Sequence, residues 1–220
     1  MRVLVTNDDG IEAYGIKLLE EVLSEFSDDV TIVAPQKNQS GKGRALSLRS
    51  DIELHQHDKS HFSVGGTPAD CIMLALNVIF KESPPDFVIS GINHGMNVAD
   101  DIGYSGTVGA ALEAAIVGIP AIALSQKGGI EELDFTPVKQ VGATVMKTAF
   151  ETRLPERTIL NVNFPALASL PVCGIRPAIL DRHKFSDEIL PGTKPNTYRI
   201  GPQISYDNTL ALSDRYWLDR

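Results

Sequence analysis

Short apolar runs alternate along the chain with segments in which apolar residues recur at helical spacing. The runs predict buried strands over residues 3–5, 30–34, 87–90, 121–125 and 158–163. The helical spacing predicts helices over residues 15–26, 68–80, 105–118 and 137–150, with Thr67 as an N-cap before Pro68. Alternating strands and helices favour an α/β fold: a doubly wound, mainly parallel sheet with helices on both faces.

Two segments depart from this alternation. Residues 46–64 alternate loosely without a helical period, which predicts one or two antiparallel strands or a β-hairpin insertion. Beyond Pro165 the periodicity fades and prolines and glycines become frequent. We therefore expect a core over residues 1–165 and an irregular, extended C-terminal arm over residues 166–220.

Composition narrows the class of protein further. The 220 residues carry a formal net charge of −8, which argues against a nucleic-acid duplex as partner because such a protein needs a basic surface. Two cysteines suggest neither a disulfide framework nor a zinc site, so a reducing compartment is expected. The sequence begins directly with a strand and has no apolar run long enough for a bilayer, so we expect a cytoplasmic protein with no membrane partner.

Polar clusters follow several of the predicted strands, where ligands collect in sheets of this kind. They comprise residues 7–10, 38–41, 90–97 and 105–107. Asp8 and Asp9 are adjacent, and two neighbouring carboxylates repel each other unless a cation, a proton or solvent intervenes. A hard divalent ion with oxygen ligands satisfies this requirement, and Ser40 and Asn93 could complete its protein ligands. A solvated turn is the alternative.

The segment Ser105-Gly106-Thr107 opens a predicted helix and is suited to phosphate, because free backbone amides and the helix dipole point out of such a terminus. An ordinary N-cap explains the same residues equally well. The glycines elsewhere form neither a dinucleotide-binding fingerprint nor a P-loop. His94 is left without a role, because a loop histidine is more often a surface residue or a local hydrogen-bond partner.

Five segments in this order and spacing resemble the SurE survival-protein nucleotidase family. They are residues 5–10, 34–41, 66–71, 90–97 and 104–108. The resemblance implies a Rossmann-like fold and hydrolysis of nucleoside 5′- and 3′-monophosphates with one divalent cation per subunit, Mg²⁺ or Mn²⁺. It places the metal ligands on Asp8, Asp9, Ser40 and Asn93.

The resemblance also places further active-site residues on Asn97, Ser105 and Thr107, with Gly106 beside them at the phosphate. Asp8, Asp9, Asn97 and Ser105 are then the expected catalytic residues, although the sequence does not show which aspartate acts as base. The family forms homo-oligomers, dimers or tetramers, through a C-terminal segment of which residues 209–216 resemble only the beginning. Two other functions stay open: a phosphoaspartate-type hydrolase, and a non-catalytic nucleotide sensor.

Overall fold

A computed structural model describes residues 1–128, 134–166, 172–182, 188–201 and 209–218. Its centre is a seven-stranded sheet with the order β3-β4-β2-β1-β5-β6-β7. The strands are β1 (Arg2–Thr6), β2 (Asp29–Pro35), β3 (Leu54–Gln56), β4 (His61–Val64), β5 (Phe87–His94), β6 (Ala121–Gln126) and β7 (Ile159–Phe164). Every neighbouring pair is parallel except β3 with β4. The predicted doubly wound α/β fold is confirmed.

Helices cover both faces of this sheet. They are α1 (Tyr14–Leu23), α2 (Pro68–Leu74), α3 (Gly106–Ile116), α4 (Thr136–Glu151) and the short α5 (Asp214–Leu218). Helices α1 and α4 bury Leu19 and Met146 in one core, against one face of the sheet. Helices α2 and α3 bury Ile72 and Ala111 in a second core on the opposite face. A strand covered on both faces is apolar at nearly every position, which is why the strands are continuous apolar runs in the sequence.

The ends of several elements differ from the prediction. Helix α1 ends at Leu23, before the predicted end at Phe26. The predicted helix over residues 68–80 is α-helical to Leu74 and continues as a π-helix over Ala75–Ile79. Strand β5 extends to His94, four residues beyond its predicted end, so the prediction of a loop from Gly91 was wrong there.

Gly91 explains why β5 continues to His94. A Cβ at Gly91, whose φ is +143°, would lie 2.4 Å from the carbonyl oxygen of Leu124 in β6. Gly91, which was predicted to lie in a loop, is therefore the residue that lets β5 and β6 approach closely, and their register shifts between Ser90 and Asn93. The consequence is that Asn93 lies at the end of a strand and is held by the sheet.

The hairpin insertion is confirmed as β3 and β4, which pair antiparallel at one edge of the sheet. The C-terminal region also contains regular structure that the sequence pattern did not predict. It comprises an antiparallel hairpin of β8 (Ile189–Pro191) and β9 (Tyr198–Ile200), together with α5. Among the described residues, none of the helices has both the length and the apolar character needed to cross a bilayer.

Candidate active site

The turn after β1 presents two carboxylates at the carboxyl edge of the sheet. Asn7 is fully buried and closes this turn: its Nδ2 donates to the Gly10 carbonyl at 2.8 Å, and its Oδ1 accepts from the Gly10 amide at 3.1 Å. Gly10 has a φ of +107°, a conformation that favours glycine. The position of Asp8 and Asp9 is therefore fixed by the residues on either side of them.

Asp8 is buried, with only 4% of its surface exposed. Its Oδ1 accepts a hydrogen bond of 2.6 Å from Thr107 Oγ1 in the first turn of α3. Burial raises the pKa of Asp8 to about 6; the bond from Thr107 opposes this shift, and the charge of Asp9 adds to it. A buried carboxylate beside a second carboxylate is a position that a bound cation stabilises.

Asp9 connects β1 to two neighbouring segments. Its Oδ2 accepts from the backbone amide of His94 at the end of β5, at 3.1 Å. Its Oδ1 accepts from Asn38 Nδ2, in the loop that follows β2, at 3.3 Å. The carboxylate thus ties the ends of three adjacent strands together, and sequence reasoning had not given Asn38 this role.

Ser40 and Asn93 lie next to residues that are bonded to the aspartates. The amide of Gln39 donates to the Asp8 carbonyl at 2.7 Å, which brings Ser40 to the same edge. Asn93 precedes His94, and its Nδ2 donates to the Gly95 carbonyl at 2.8 Å. Among the described residues no hydrogen bond uses Asn93 Oδ1 or the Ser40 hydroxyl. Ser40 is exposed. Each of the two neutral oxygens is thus one residue away from a group bonded to Asp8 or Asp9.

The donor set suits a hard divalent cation. In the described part of the chain, no Lys, Arg or His side chain forms an ion pair with Asp8 or Asp9. Nor do those residues include a group of three or more His, Cys, Asp and Glu that could hold a metal. Two carboxylates with neutral amide and hydroxyl oxygens resemble the ligands of Mg²⁺, which keeps places for water and phosphate. The residues present therefore fit such an ion better than they fit zinc.

The N-terminus of α3 packs directly on Asp8. Ser105 is its N-cap, and its hydroxyl accepts from the Val108 amide at 3.1 Å. A Cβ at Gly106 would lie 2.7 Å from Asp8 Cβ, so only glycine permits this approach. The hydroxyl of Thr107 is used by Asp8, as described above. The first turn of α3 therefore offers an anion its backbone amides and dipole. The Thr107 hydroxyl already donates to Asp8, whereas the Ser105 hydroxyl only accepts and keeps its own proton to donate.

Asn97 is almost fully buried, and its backbone amide, its carbonyl and its Nδ2 all form hydrogen bonds. Its Nδ2 donates to Ser125 Oγ at 2.8 Å, and its amide donates to Asn163 Oδ1 at 2.8 Å. Its carbonyl accepts from Asn161 Nδ2 at 2.8 Å and from Asn163 Nδ2 at 3.0 Å. Sequence reasoning missed Ser125, Asn161 and Asn163. Polar residues at alternate positions near the end of an otherwise apolar strand were the signal that could have revealed the last two.

His94 has a local structural contact. Its Nε2 accepts from the amide of Gly15 at the start of α1, at 3.2 Å, and its ring packs against Phe135 with 5.5 Å between centroids. The lone pair of Nε2 is thus engaged by a backbone donor. This contact matches the local hydrogen-bond partner that the sequence left open for His94.

These features define a doubly wound α/β protein with an acidic pair and a helix N-terminus at the carboxyl edge of its sheet. The family model for survival protein SurE matches residues 3–187 of the chain, which therefore belongs to the SurE family.

Individual relatives support this assignment. The 5′-nucleotidase SurE of Rhizorhabdus wittichii is 42% identical over 203 residues, which cover 90% of this chain and 80% of the relative. The protein of the same name from Bradyrhizobium diazoefficiens is 44% identical over 179 residues, covering 80% and 70%. The crystal structure of the SurE protein from Aquifex aeolicus superposes with a TM-score of 0.85 at 35% identity, covering 99% of this chain and 88% of that one.

Proposed function

We propose that this protein is a metal-dependent phosphomonoesterase that hydrolyses nucleoside 5′-monophosphates, and 3′-monophosphates as well, to nucleoside and inorganic phosphate. The relatives named 5′-nucleotidase support the reaction class. The observation that carries the proposal is the contact between the buried Asp8 carboxylate and the first turn of α3. It supports the proposal because it brings a carboxylate suited to a cation next to a helix N-terminus suited to phosphate.

One divalent cation per subunit, Mg²⁺ or Mn²⁺, is proposed to bind Asp8, Asp9, Ser40 and Asn93. When bound, such an ion supplies Lewis-acid stabilisation of phosphate charge and lowers the pKa of water. The contacts of Asp9 with Asn38 and His94 support this arrangement, because they restrain the carboxylate before any ligand arrives.

The substrate phosphate is proposed to lie at the first turn of α3, against the amides of Ser105, Gly106 and Thr107 and the side chain of Asn97. The negative charge that redistributes over the phosphate oxygens during hydrolysis is stabilised there by fixed dipoles. The hydroxyl of Thr107 then acts on Asp8, and the residue reaches phosphate through its backbone. The Ser105 hydroxyl accepts from the Val108 amide and keeps its own proton to donate to a phosphate oxygen.

A proton must leave the attacking water, and a carboxylate at this edge can accept it. Asp8 and Asp9 are the two candidates among the proposed site residues. Asp8 already accepts a hydrogen bond from the Thr107 hydroxyl on Oδ1, and Asp9 accepts one hydrogen bond on each oxygen. Both carboxylates keep lone pairs for a further proton.

A single assay tests the function: release of inorganic phosphate from each nucleoside 5′- and 3′-monophosphate with Mg²⁺, Mn²⁺ or a chelator. We expect release from AMP or GMP with Mn²⁺ and its loss with the chelator. Absence of release with every substrate and metal, combined with measurable nucleotide binding, would instead indicate a sensor. Acid-quench trapping of a covalent aspartyl phosphate would favour the phosphoaspartate-type hydrolase. In hydrolases of that type the aspartates alternate with another residue, whereas Asp8 and Asp9 are adjacent.

We also propose that residues 1–165 form the Rossmann-like catalytic core, that residues 166–220 form an arm, and that the protein is a homo-oligomer in the cytoplasm. We propose no duplex nucleic acid and no membrane as partners. Light scattering during size-exclusion chromatography tests the oligomer, and a monomeric mass would contradict it.

A further inference from the structure

The backbone amide and carbonyl of Asn97 are both bonded to side chains of β7. Asn163 in β7 forms a pair of bonds with Asn97, since its Oδ1 accepts from the amide and its Nδ2 donates to the carbonyl. Asn161, two residues earlier, donates to the same carbonyl at 2.8 Å. A carbonyl oxygen has two lone pairs, so both acceptor sites of the Asn97 carbonyl are filled.

These contacts come from a rigid part of the fold. Asn163 pairs with Ser125 in the register of β6 and β7, and Asn161 pairs with Ala123. Residues two apart on a strand point to the same face, so β6 and β7 present Ser125, Asn161 and Asn163 together. Ser125 is fully buried and accepts from Asn97 Nδ2 at 2.8 Å. The sheet therefore fixes both the backbone and the side chain of Asn97.

Asn97 itself lies in a connection between β5 and a short 3-10 helix at Ala99–Gly103, outside both elements. A segment of this kind has many accessible conformations. If they are restricted before substrate binds, the conformational-entropy cost of binding is smaller. The side-chain amide of Asn97 carries two protons, and one of them is donated in the hydrogen bond to Ser125. The second proton is then available to a phosphate oxygen. Its orientation is determined by Ser125, Asn161 and Asn163, which together form the clamp on Asn97.

We propose that Asn163, together with Asn161 and Ser125, is a positioning residue that holds Asn97 in its phosphate-binding orientation. The inference rests on the proposed function in one respect, that Asn97 contacts the substrate phosphate. Asn163 does not itself touch substrate; it acts through Asn97.

The test compares Asn163→Ala with Val162→Ala, a matched control on the same strand. The Val162 side chain packs against the core formed with α1 and α4, on the other face of the sheet. Amide hydrogen exchange at Asn97, followed by NMR, is the first readout and needs no activity. We expect Asn163→Ala to accelerate this exchange at least about tenfold, because it removes the acceptor of that amide, and Val162→Ala to leave it unchanged. Unchanged exchange in Asn163→Ala would overturn the clamp.

Kinetics with AMP and Mn²⁺ provide the second readout. For Asn163→Ala we expect kcat/KM to fall by about ten- to a hundredfold and inhibition by inorganic phosphate to weaken. The Mn²⁺ concentration for half-maximal activity should stay within about twofold, because no proposed metal ligand is touched. A parallel rise in that concentration, or an equal fall of kcat/KM in Val162→Ala, would show a general loss of structure and reject the positioning role.

A double-mutant cycle tests whether Asn163 acts through Asn97. The pair Asn97→Ala with Asn163→Ala should be no slower than Asn97→Ala alone, and additive losses would contradict the proposal. If Asn163→Ala does not fold, Ser125→Ala removes only the bond to the Asn97 side chain and should lower kcat/KM by about three- to tenfold. Failure of the wild-type protein to release phosphate would reject the proposed function, while hydrogen exchange would still decide whether the clamp exists.

Discussion

Thr107 Oγ1 lies 2.6 Å from Asp8 Oδ1, so the second residue of α3 donates a short hydrogen bond to the first carboxylate after β1. Bonds of this length are typical of a hydroxyl that donates to an ionised carboxylate, and they are stronger than bonds between neutral groups. The contact compensates part of the cost of burying Asp8. It also fixes the distance between the proposed metal ligands and the proposed phosphate site.

Replacing Thr107 with valine keeps the shape of the side chain and removes this donor. We expect kcat to fall by about ten- to a hundredfold, because Asp8 loses the group that orients it, and stability to fall by about 1–3 kcal/mol. Thr107→Ser keeps the hydroxyl and should stay within about threefold of the wild type. Phosphate release and thermal unfolding measure both effects, and equal activity of the two variants would show that the contact has no catalytic role.

Gly106 provides a second test of the same approach between α3 and β1. Gly106→Ala places a Cβ 2.7 Å from Asp8 Cβ, so the helix or the turn must shift. We expect a loss of about 1–3 kcal/mol in stability and more than about tenfold in kcat/KM.

Gly103→Ala is the matched control, because nothing lies within 4 Å of the Cβ that it adds. It should resemble the wild type in urea denaturation and in phosphate release. If both variants lose activity equally, the close packing of α3 on Asp8 does not determine catalysis.

Asp9→Asn tests the second proposed metal ligand. We expect most turnover to be lost while the fold is kept, because the single amide oxygen can still accept one of the two bonds, from His94 or from Asn38, but the side chain lacks the charge that attracts a cation. Asp28→Asn, an exposed aspartate beside the start of β2, is the control and should keep full activity. Steady-state kinetics across Mn²⁺ concentrations measure this, and near-normal turnover in Asp9→Asn would refute the assignment.

The sequence predicted the strand and helix ends at which the proposed site lies. Asp8 and Asp9 end a short apolar run, and Ser105 to Thr107 open an amphipathic helix, so each could be assigned from its own neighbours. That parallel strands bring such segments to one edge follows from the topology of the fold. The convergence of several strand ends on one edge was therefore predictable without coordinates.

Other features depend on contacts between distant residues and left no local signal. Nothing in the segment around Thr107 indicates that its hydroxyl bonds to Asp8 and not to a ligand. Gly91 was predicted to lie in a loop, and only the 2.4 Å that would separate an added Cβ from the Leu124 carbonyl oxygen shows that it lets two strands approach. Asn163 pairs with a backbone 66 positions away, which no periodicity encodes.

His61 gives the protein a pH-dependent contribution away from the site. Its ring contacts Glu20 of α1 at 3.0 Å and Asp58 of the β3–β4 turn at 2.9 Å. Burial lowers the pKa of His61, but the bonds to Asp58 and Glu20 outweigh it, so the pKa lies above its ordinary value. The stabilisation is fully present below about pH 6.5 and is lost as pH rises through the folded pKa.

We therefore expect His61→Gln to lower the melting temperature by about one to three degrees at about pH 6 and by less at about pH 9. His55→Gln, on the same hairpin, forms no ion pair among the described residues and serves as control. Calorimetry at the two pH values measures the difference. A loss in His61→Gln that is independent of pH would show that packing, and not charge, is responsible.

Asp8→Asn should make the metal-free protein more stable and the enzyme inactive. Burial raises the pKa of Asp8 from 3.8 to about 6, so an ionised Asp8 costs the folded state up to about 3 kcal/mol above that pH. A raised carboxyl pKa means that the folded state binds more protons, so stability falls as pH rises between these values. With chelator present, the free energy of unfolding of Asp8→Asn should therefore exceed that of the wild type by about 1–3 kcal/mol at about pH 8, and this difference should vanish near pH 4.

Adding Mn²⁺ should raise the melting temperature of the wild type and leave that of Asp8→Asn unchanged, because only the wild type gains an ion that binds the folded state. Equal responses of both proteins to Mn²⁺ would mean that Asp8 is not a ligand.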